Sequence, residues 1–239
     1  MAEDLDSEKL LAATAAVRHV KSGMRLALGT GSTAAFAVRA LVQRFPDGGG
    51  ITAVASSMLT ERLARELGLN VGPLLPSDRF DLMIDGADEV APTLDLTKGG
   101  GGALFREKFL ARLSRELLIL VDHTKLVPTL GTRSAIPIEV VPFARGVIVE
   151  QLRERRVASA VRVAPGGEHP FVTDNGNEIL DLRPSWPVTD PSGLDQELRA
   201  IPGVVETGLF CGLAHRVFVG LPDGTVQEIL PSHPSRAGS

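Results

Sequence analysis

Four short apolar runs, at 25–28, 51–55, 80–84 and 117–121, punctuate the first half of this chain, and helix-like stretches separate them. Runs this short and this largely apolar, bounded by turn residues, read as buried strands rather than helices. The first run, Arg25-Leu-Ala-Leu28, passes straight into Gly29-Thr-Gly-Ser-Thr33 and then into an Ala-rich helix ending near Arg44. The second leads through Ser56-Ser57 into a helix over 58–67, and the fourth ends at Asp122-His-Thr-Lys125. A helix over 8–21, capped by Ser7, precedes them. Strands joined through helices imply parallel crossover connections, so the class expected is α/β: a doubly wound, mainly parallel, Rossmann-like sheet. Ligands in such sheets bind beyond the carboxyl ends of the strands. Every chemically suggestive motif in this chain follows a strand.

The pattern changes after Pro128. A strand at 136–141, a helix over 143–156, strands near 157–163 and 170–182 and a helix near 191–200 suggest a small α+β domain inserted into the main one. The turn at Asp174-Asn-Gly-Asn177 breaks the second of those strands. The domains expected are 1–131 plus 206–239 for the catalytic part and 132–205 for the insertion. The last strands, near 204–210 and 215–220, are expected to rejoin the main sheet or its edge. Residues 232–239 form a polar tail.

At 239 residues and 44% hydrophobic content the chain can bury a sizeable core. Its net charge of −4, with no basic run, argues against nucleic acid as a partner, and the absence of Tyr and the single Trp186 remove base-stacking platforms. Cys211 is the only cysteine, which excludes an internal disulfide and fits a reducing compartment; its apolar setting reads as a small buried hydrophobe. The acidic N-terminus is unlike a signal peptide, and no apolar run approaches the roughly 18 residues of a membrane helix. A soluble, cytoplasmic protein with no membrane partner is expected. The histidines, among them His19, His123, His169 and His215, show no metal-ligand spacing, so no metal site is expected.

The segment Asp85-Gly-Ala-Asp88, then Lys98 and four consecutive glycines, then Ala103-Leu-Phe-Arg-Glu-Lys108, concentrates the chemistry. A glycine run entering a helix presents backbone N–H groups to an anion. Asp85 and Asp88, flanking Gly86 and Ala87, can hold sugar hydroxyls and move protons; equally, Asp closes loops by bonding its own backbone. Lys98 beside Gly99, Gly100 and Gly101 favours function, since a solvated loop lysine has no need of them. Glu107 in isolation is a first-turn acid favoured by the helix dipole; only Lys98 and the glycines raise it to a candidate general base. Thr30, Gly31, Ser32 and Thr33 make either a phosphate cradle or a tight turn with an N-cap. This turn lacks the spacing of a P-loop or of a dinucleotide fingerprint. Lys125 and Lys9 can reach a phosphate or stand solvated.

Taken together, Gly29-Thr-Gly-Ser-Thr-Ala34, Asp85-Gly-Ala-Asp-Glu89, Lys98-Gly-Gly-Gly101 with Arg106-Glu-Lys108, and Asp122-His-Thr-Lys125 resemble the A-type ribose-5-phosphate isomerases. Weaker matches at Glu139-Val-Val-Pro142, Val172-Thr-Asp-Asn-Gly-Asn177 and Pro202-Gly-Val-Val-Glu-Thr-Gly-Leu-Phe210 carry the similarity along nearly the whole chain. The resemblance implies interconversion of ribose 5-phosphate and ribulose 5-phosphate with no cofactor. It also implies Glu107 as the proton shuttle through an enediolate, and Lys98 with nearby N–H groups as oxyanion stabiliser. Asp85 and Asp88 would bind hydroxyls and assist ring opening. Residues Thr30 to Thr33, with Lys125 and Lys9, would hold the phosphate. A homodimer or homotetramer is implied too, with Val147, Ile148, Leu152 and Trp186 of the insertion as apolar contacts. Three other classes fit less of the pattern. An amino-sugar-phosphate deaminase needs a histidine near the acids, and His123 alone stands near. An acyl-CoA transferase would use Glu107 as nucleophile. A sugar-phosphate sensor would need a DNA-binding module for which no segment is spare.

Overall fold

A computed structural model of the chain describes residues 2–231; the polar tail expected over 232–239 lies outside them. In chain order come α1 (Ala2–Val17), β1 (Arg25–Leu28), α2 (Ser32–Arg44), β2 (Thr52–Ala55), α3 (Met58–Glu66), β3 (Asn70–Val71) and β4 (Phe80–Gly86). Then follow β5 (Glu89–Val90), β6 (Leu96–Thr97), α4 (Leu104–Leu113), β7 (Ser114–Asp122) and β8 (Ile136–Val140). The rest are α5 (Arg145–Glu154), β9 (Val157–Val161), β10 (Glu178–Pro184), α6 (Pro191–Arg199), β11 (Val204–Thr207), β12 (Leu209–Phe210), β13 (Arg216–Gly220) and β14 (Val226–Ile229). No helix among the described residues is long and apolar enough to cross a membrane.

The chain divides into two compact units. One comprises Met1–Ala87, Arg106–Lys125 and Gly212–Ser239; the other comprises Asp88–Phe105 and Leu126–Cys211. The boundaries expected at 132 and 205 differ from these. Residues 88–105 and 126–131 belong with the second unit because β5 and β6 pair with each other and with β12, while Val90 bridges Leu126.

The first unit is built on a seven-stranded sheet of order β3-β2-β1-β4-β7-β13-β14, parallel except for the β13–β14 pair. The order turns at β1, with β2 and β3 on one side and β4 and β7 on the other, as in a doubly wound sheet. Register places Leu26 beside Leu82, Leu28 beside Ile84, and Ile84 beside Leu118. Their side chains join Val38 and Leu41 of α2 and Ala12 and Ala16 of α1 in one core. Residues 117–121 of β7 are all buried, odd and even alike, which explains why the run is continuously apolar.

The second unit carries a four-stranded antiparallel sheet of order β11-β8-β10-β9 and a three-stranded one of order β12-β6-β5. Its core gathers Ile136, Ile138 and Val140 of β8, Leu180 and Leu182 of β10, Ile148 and Leu152 of α5 and Leu198 of α6. Ile148 and Leu152 are therefore core residues, whereas Val147 and Trp186, expected beside them in a subunit contact, are exposed.

Several elements depart from expectation. The first helix spans Ala2–Val17 rather than 8–21; Ser7 lies inside it, and beyond Val17 the backbone bonds tighten to Arg18 N to Ala15 O, His19 N to Ala16 O and Val20 N to Val17 O, which end it. Strand β10 starts at Glu178, because 173–177 curls around buried Glu139, whose Oε1 accepts from Thr173, Asn175 and Asn177. The run 204–210 does not rejoin the main sheet: β11 pairs with β8 and β12 with β6, and only β13 pairs with β7. Leu118→Ala should cost about 2–5 kcal/mol of stability by opening a cavity in the parallel sheet. Urea unfolding checks it, and a loss below about 1 kcal/mol would contradict the packing described.

Candidate active site

In the first unit the chemistry gathers where β1 and β4 end side by side. Gly29 N donates to Ile84 O at 2.9 Å and Ser56 N to Leu28 O at 2.8 Å, so the chain leaving β1 stays tied to both neighbouring strands. Asp85, wholly buried near the end of β4, accepts at Oδ1 from Gly86 N (2.8 Å) and from Thr30 N (3.2 Å). That approach requires glycine at 29: a Cβ there would overlap the Asp85 carboxyl group. The Thr30 hydroxyl pairs with the Ser56 hydroxyl at 2.7 Å, and Thr60 Oγ1 donates to Gly29 O at 2.9 Å. The residue pattern alone does not single out Ser56 or Thr60; Ser56 lies directly after β2, and that position is the signal that points to it.

Helix α2 begins at Ser32 with Gly31 as its N-cap and no side-chain capping bond. Neither Ser32 nor Thr33 serves as the cap, so the capped-turn alternative does not describe this segment. Its exposed backbone donors and the two hydroxyls stand at a positive helix end. Thr33 lies against Gly86, where an added Cβ would come within 3.3 Å of Thr33 Cβ; Ala87 ends the unit's segment. Glu107, buried, sits in the first turn of α4. Lys125 closes the short 3-10 turn after β7, and Lys9 on α1 is paired with Asp6 at 2.9 Å. Neither lysine is hydrogen-bonded to Thr30, Ser32 or Thr33 among the described residues. His123 Nδ1 lies 2.6 Å from buried Glu8, whose carboxylate also accepts from His123 N.

In the second unit a hairpin explains the ten-residue spacing of acid and lysine. Strands β5 and β6 pair with Glu89 opposite Thr97, and Asp88 N donates to Thr97 O at 2.8 Å, so Asp88 and Lys98 occupy the next positions on facing strands. Glu89, buried, accepts from the backbone N–H groups of Gly131, Arg133 and Ser134 and anchors that loop beside the hairpin. Lys98 is buried, its N–H bonded to Gly208 O and its ammonium 5.3 Å from the centre of the Phe210 ring. Gly100 N donates to Asp88 Oδ2 at 2.8 Å, and a Cβ at Gly100 would meet Asp88 Oδ1 at 2.6 Å. Gly99 is buried and Gly101 exposed. A cavity of about 500 Å³ opens beside Asp88 and Gly100, lined also by Ser134, Arg162, Asp181 and Arg183. Among the described residues, no three His, Cys, Asp or Glu side chains group as metal ligands would.

An α/β chain with carboxylates, a buried lysine and glycine turns at strand ends belongs to the class that binds small anionic molecules. The family follows from comparison. Residues 52–224 match the model of ribose 5-phosphate isomerase A (phosphoriboisomerase A), and the chain belongs to that family. Ribose-5-phosphate isomerase A of Deinococcus radiodurans is 47% identical over 229 residues, covering 95% of this chain and 99% of that relative. A D-ribose-5-phosphate isomerase solved in complex with phospho-erythronic acid superposes with a TM-score of 0.90 at 36% identity, covering 95% of this chain and 99% of that one. The ribose 5-phosphate isomerase of Plasmodium falciparum gives 0.91 at 33% identity, covering 96% and 100%.

The Gly29–Asp85 approach has a testable energetic signature. Gly29→Ala should destabilise by about 1–3 kcal/mol through overpacking, and most of that cost should vanish in an Asp85→Gly background, which removes the carboxyl group and the Cβ that would stand 2.6 Å away. A double-mutant cycle by urea unfolding measures it, and additivity within about 0.5 kcal/mol would show that the two residues do not press on each other.

Proposed function

We propose that this protein interconverts D-ribose 5-phosphate and D-ribulose 5-phosphate through an enediolate, in the non-oxidative part of pentose phosphate metabolism, without metal or organic cofactor. The observation that carries the reading is that a chain of this family keeps Asp85, Asp88, Lys98 and Glu107 together on one short segment, with Asp85, Lys98 and Glu107 buried.

Each role follows from the side chain's chemistry. Glu107 takes the proton from C2 of the open-chain aldose and returns it to C1, while the carbonyl oxygen at C1 gains a proton and the hydroxyl at C2 gives one up. A carboxylate suits both halves because it is base first and acid second. Lys98, stripped of water, and nearby backbone N–H groups stabilise the oxyanion as it develops. Asp85 and Asp88 bind hydroxyls and assist opening of the furanose. The uncapped start of α2, with Thr30, Gly31, Ser32 and Thr33, takes the phosphate, and Lys125 and Lys9 supply the more distant positive charge.

A homodimer or homotetramer in the cytoplasm completes the proposal. Phe143, almost fully exposed, and Val147 one helical turn further on offer an apolar patch on the second unit, and the lone Cys211 suits a reducing compartment. Sedimentation at micromolar concentration should give a multiple of 25.3 kDa; a monomer contradicts the assembly.

Glu107→Gln keeps the side chain's size but cannot accept a proton from carbon. It should lower kcat by at least about 10²-fold and leave KM nearly unchanged. A coupled assay with ribose 5-phosphate checks this, and wild-type turnover in the variant would reduce Glu107 to a first-turn helix residue.

A further inference from the structure

Arg162, directly after β9, makes a set of contacts that none of the roles above uses. Its Nε donates to Asp181 Oδ2 at 2.9 Å and its Nη2 to Asp181 Oδ1, a two-pronged fork onto a carboxylate carried by β10. The remaining side of the guanidinium faces the glycine run: Nη1 donates to Gly99 O at 2.7 Å and to Gly100 O at 3.1 Å. The backbone of Arg162 is fixed as well, its N–H bonded to Ile179 O and its carbonyl accepting from Phe171 N. Asp181 lies inside the antiparallel sheet, beside Ala160 on one strand and Pro137 on the other. The guanidinium is thus anchored in the sheet and holds two consecutive peptide carbonyls of the loop.

In a trans peptide the C=O and the N–H point in opposite directions. Two carbonyls drawn onto Arg162 therefore turn the N–H groups of Gly100 and Gly101 away from it, and the Gly100 N–H lands on Asp88 Oδ2. Glycine peptides have little steric preference of their own, and the loop's orientation needs an external hold. Lysine at 162 could not supply it, since a single ammonium cannot fork a carboxylate and hold two carbonyls in one plane.

We propose that Arg162, braced by Asp181, is a positioning residue for the isomerisation: it sets the direction in which the glycine run presents its N–H groups and Asp88. The inference rests on the isomerase reading. Its consequence is a loss in kcat with little change in KM, because the phosphate contacts assigned to residues 30–33 do not involve the fork.

The test compares wild type, Arg162→Ala, Arg162→Lys and Asp181→Asn by steady-state kinetics with ribose 5-phosphate. Phospho-erythronic acid serves as inhibitor, its carboxylate standing in for the enediolate oxygens. Removing one oxyanion donor outright costs roughly 10²–10³-fold and losing an outer partner about 10–100-fold, so Arg162→Ala should lose about 10–100-fold in kcat with KM within about threefold. Arg162→Lys should recover little of this loss, and inhibitor affinity should fall in proportion to kcat/KM. Guanidinium chloride at tens of millimolar should raise the rate of Arg162→Ala above that in equal sodium chloride. Should Arg162→Ala fail to fold, the folded Lys and Asn variants decide. Variants with kcat within about twofold of wild type, or with KM rising while kcat holds, overturn the proposal. A wild-type protein that does not turn over ribose 5-phosphate instead overturns the isomerase reading, and the positioning role with it.

Discussion

The hydrogen bonds from Thr30 N and Gly86 N to one buried oxygen of Asp85 join the exits of β1 and β4, and the shape of both turns depends on them. A carboxylate out of water is costly unless its environment donates to it. Here the donors are backbone groups of the two turns that it organises. The same contact explains why residue 29 has no side chain, whereas α2 starts without a side-chain cap because its N-cap is Gly31. The buried carboxylate and the glycine turn against it are thus two sides of one packing constraint, at the edge where the strand order turns.

The second unit solves a different problem with different means. Lys98 is held buried and its glycine neighbours in one orientation, although glycine is the residue least able to hold itself. Short pairing does this on one side, through β5, β6 and β12, and Arg162 does it on the other. Glu89 repeats the device used at Asp85: a buried carboxylate collects the backbone N–H groups of a neighbouring loop, 131–134.

What is legible in the chain follows from how each feature is encoded. The parallel strands are short, largely apolar runs bounded by turn residues, so 25–28, 80–84 and 117–121 are located by residue pattern alone. The acids, the lysine and the glycine run read as one candidate site because they are close in sequence. The hairpin that registers Asp88 against Lys98 does not, since strands of two residues have no period to detect. Arg162 is invisible for a related reason: its partner is 19 residues away and its other contacts are carbonyl oxygens, which every residue has. The run 204–210 looks like a strand returning to the main sheet, and only the partners chosen by β11 and β12 reveal its division between two smaller sheets.

The central claim is that one carboxylate, Glu107, carries the proton between C2 and C1. Ribose 5-phosphate deuterated at C2 tests it most directly, by following the label in the first turnovers. A carboxylate shuttle open to exchange predicts that part of the deuterium reaches C1 of ribulose 5-phosphate and part is lost to water, with both outcomes abolished in Glu107→Gln. Complete transfer of the label with none lost to water, unchanged in Glu107→Gln, would mean a hydride shift and would contradict the account.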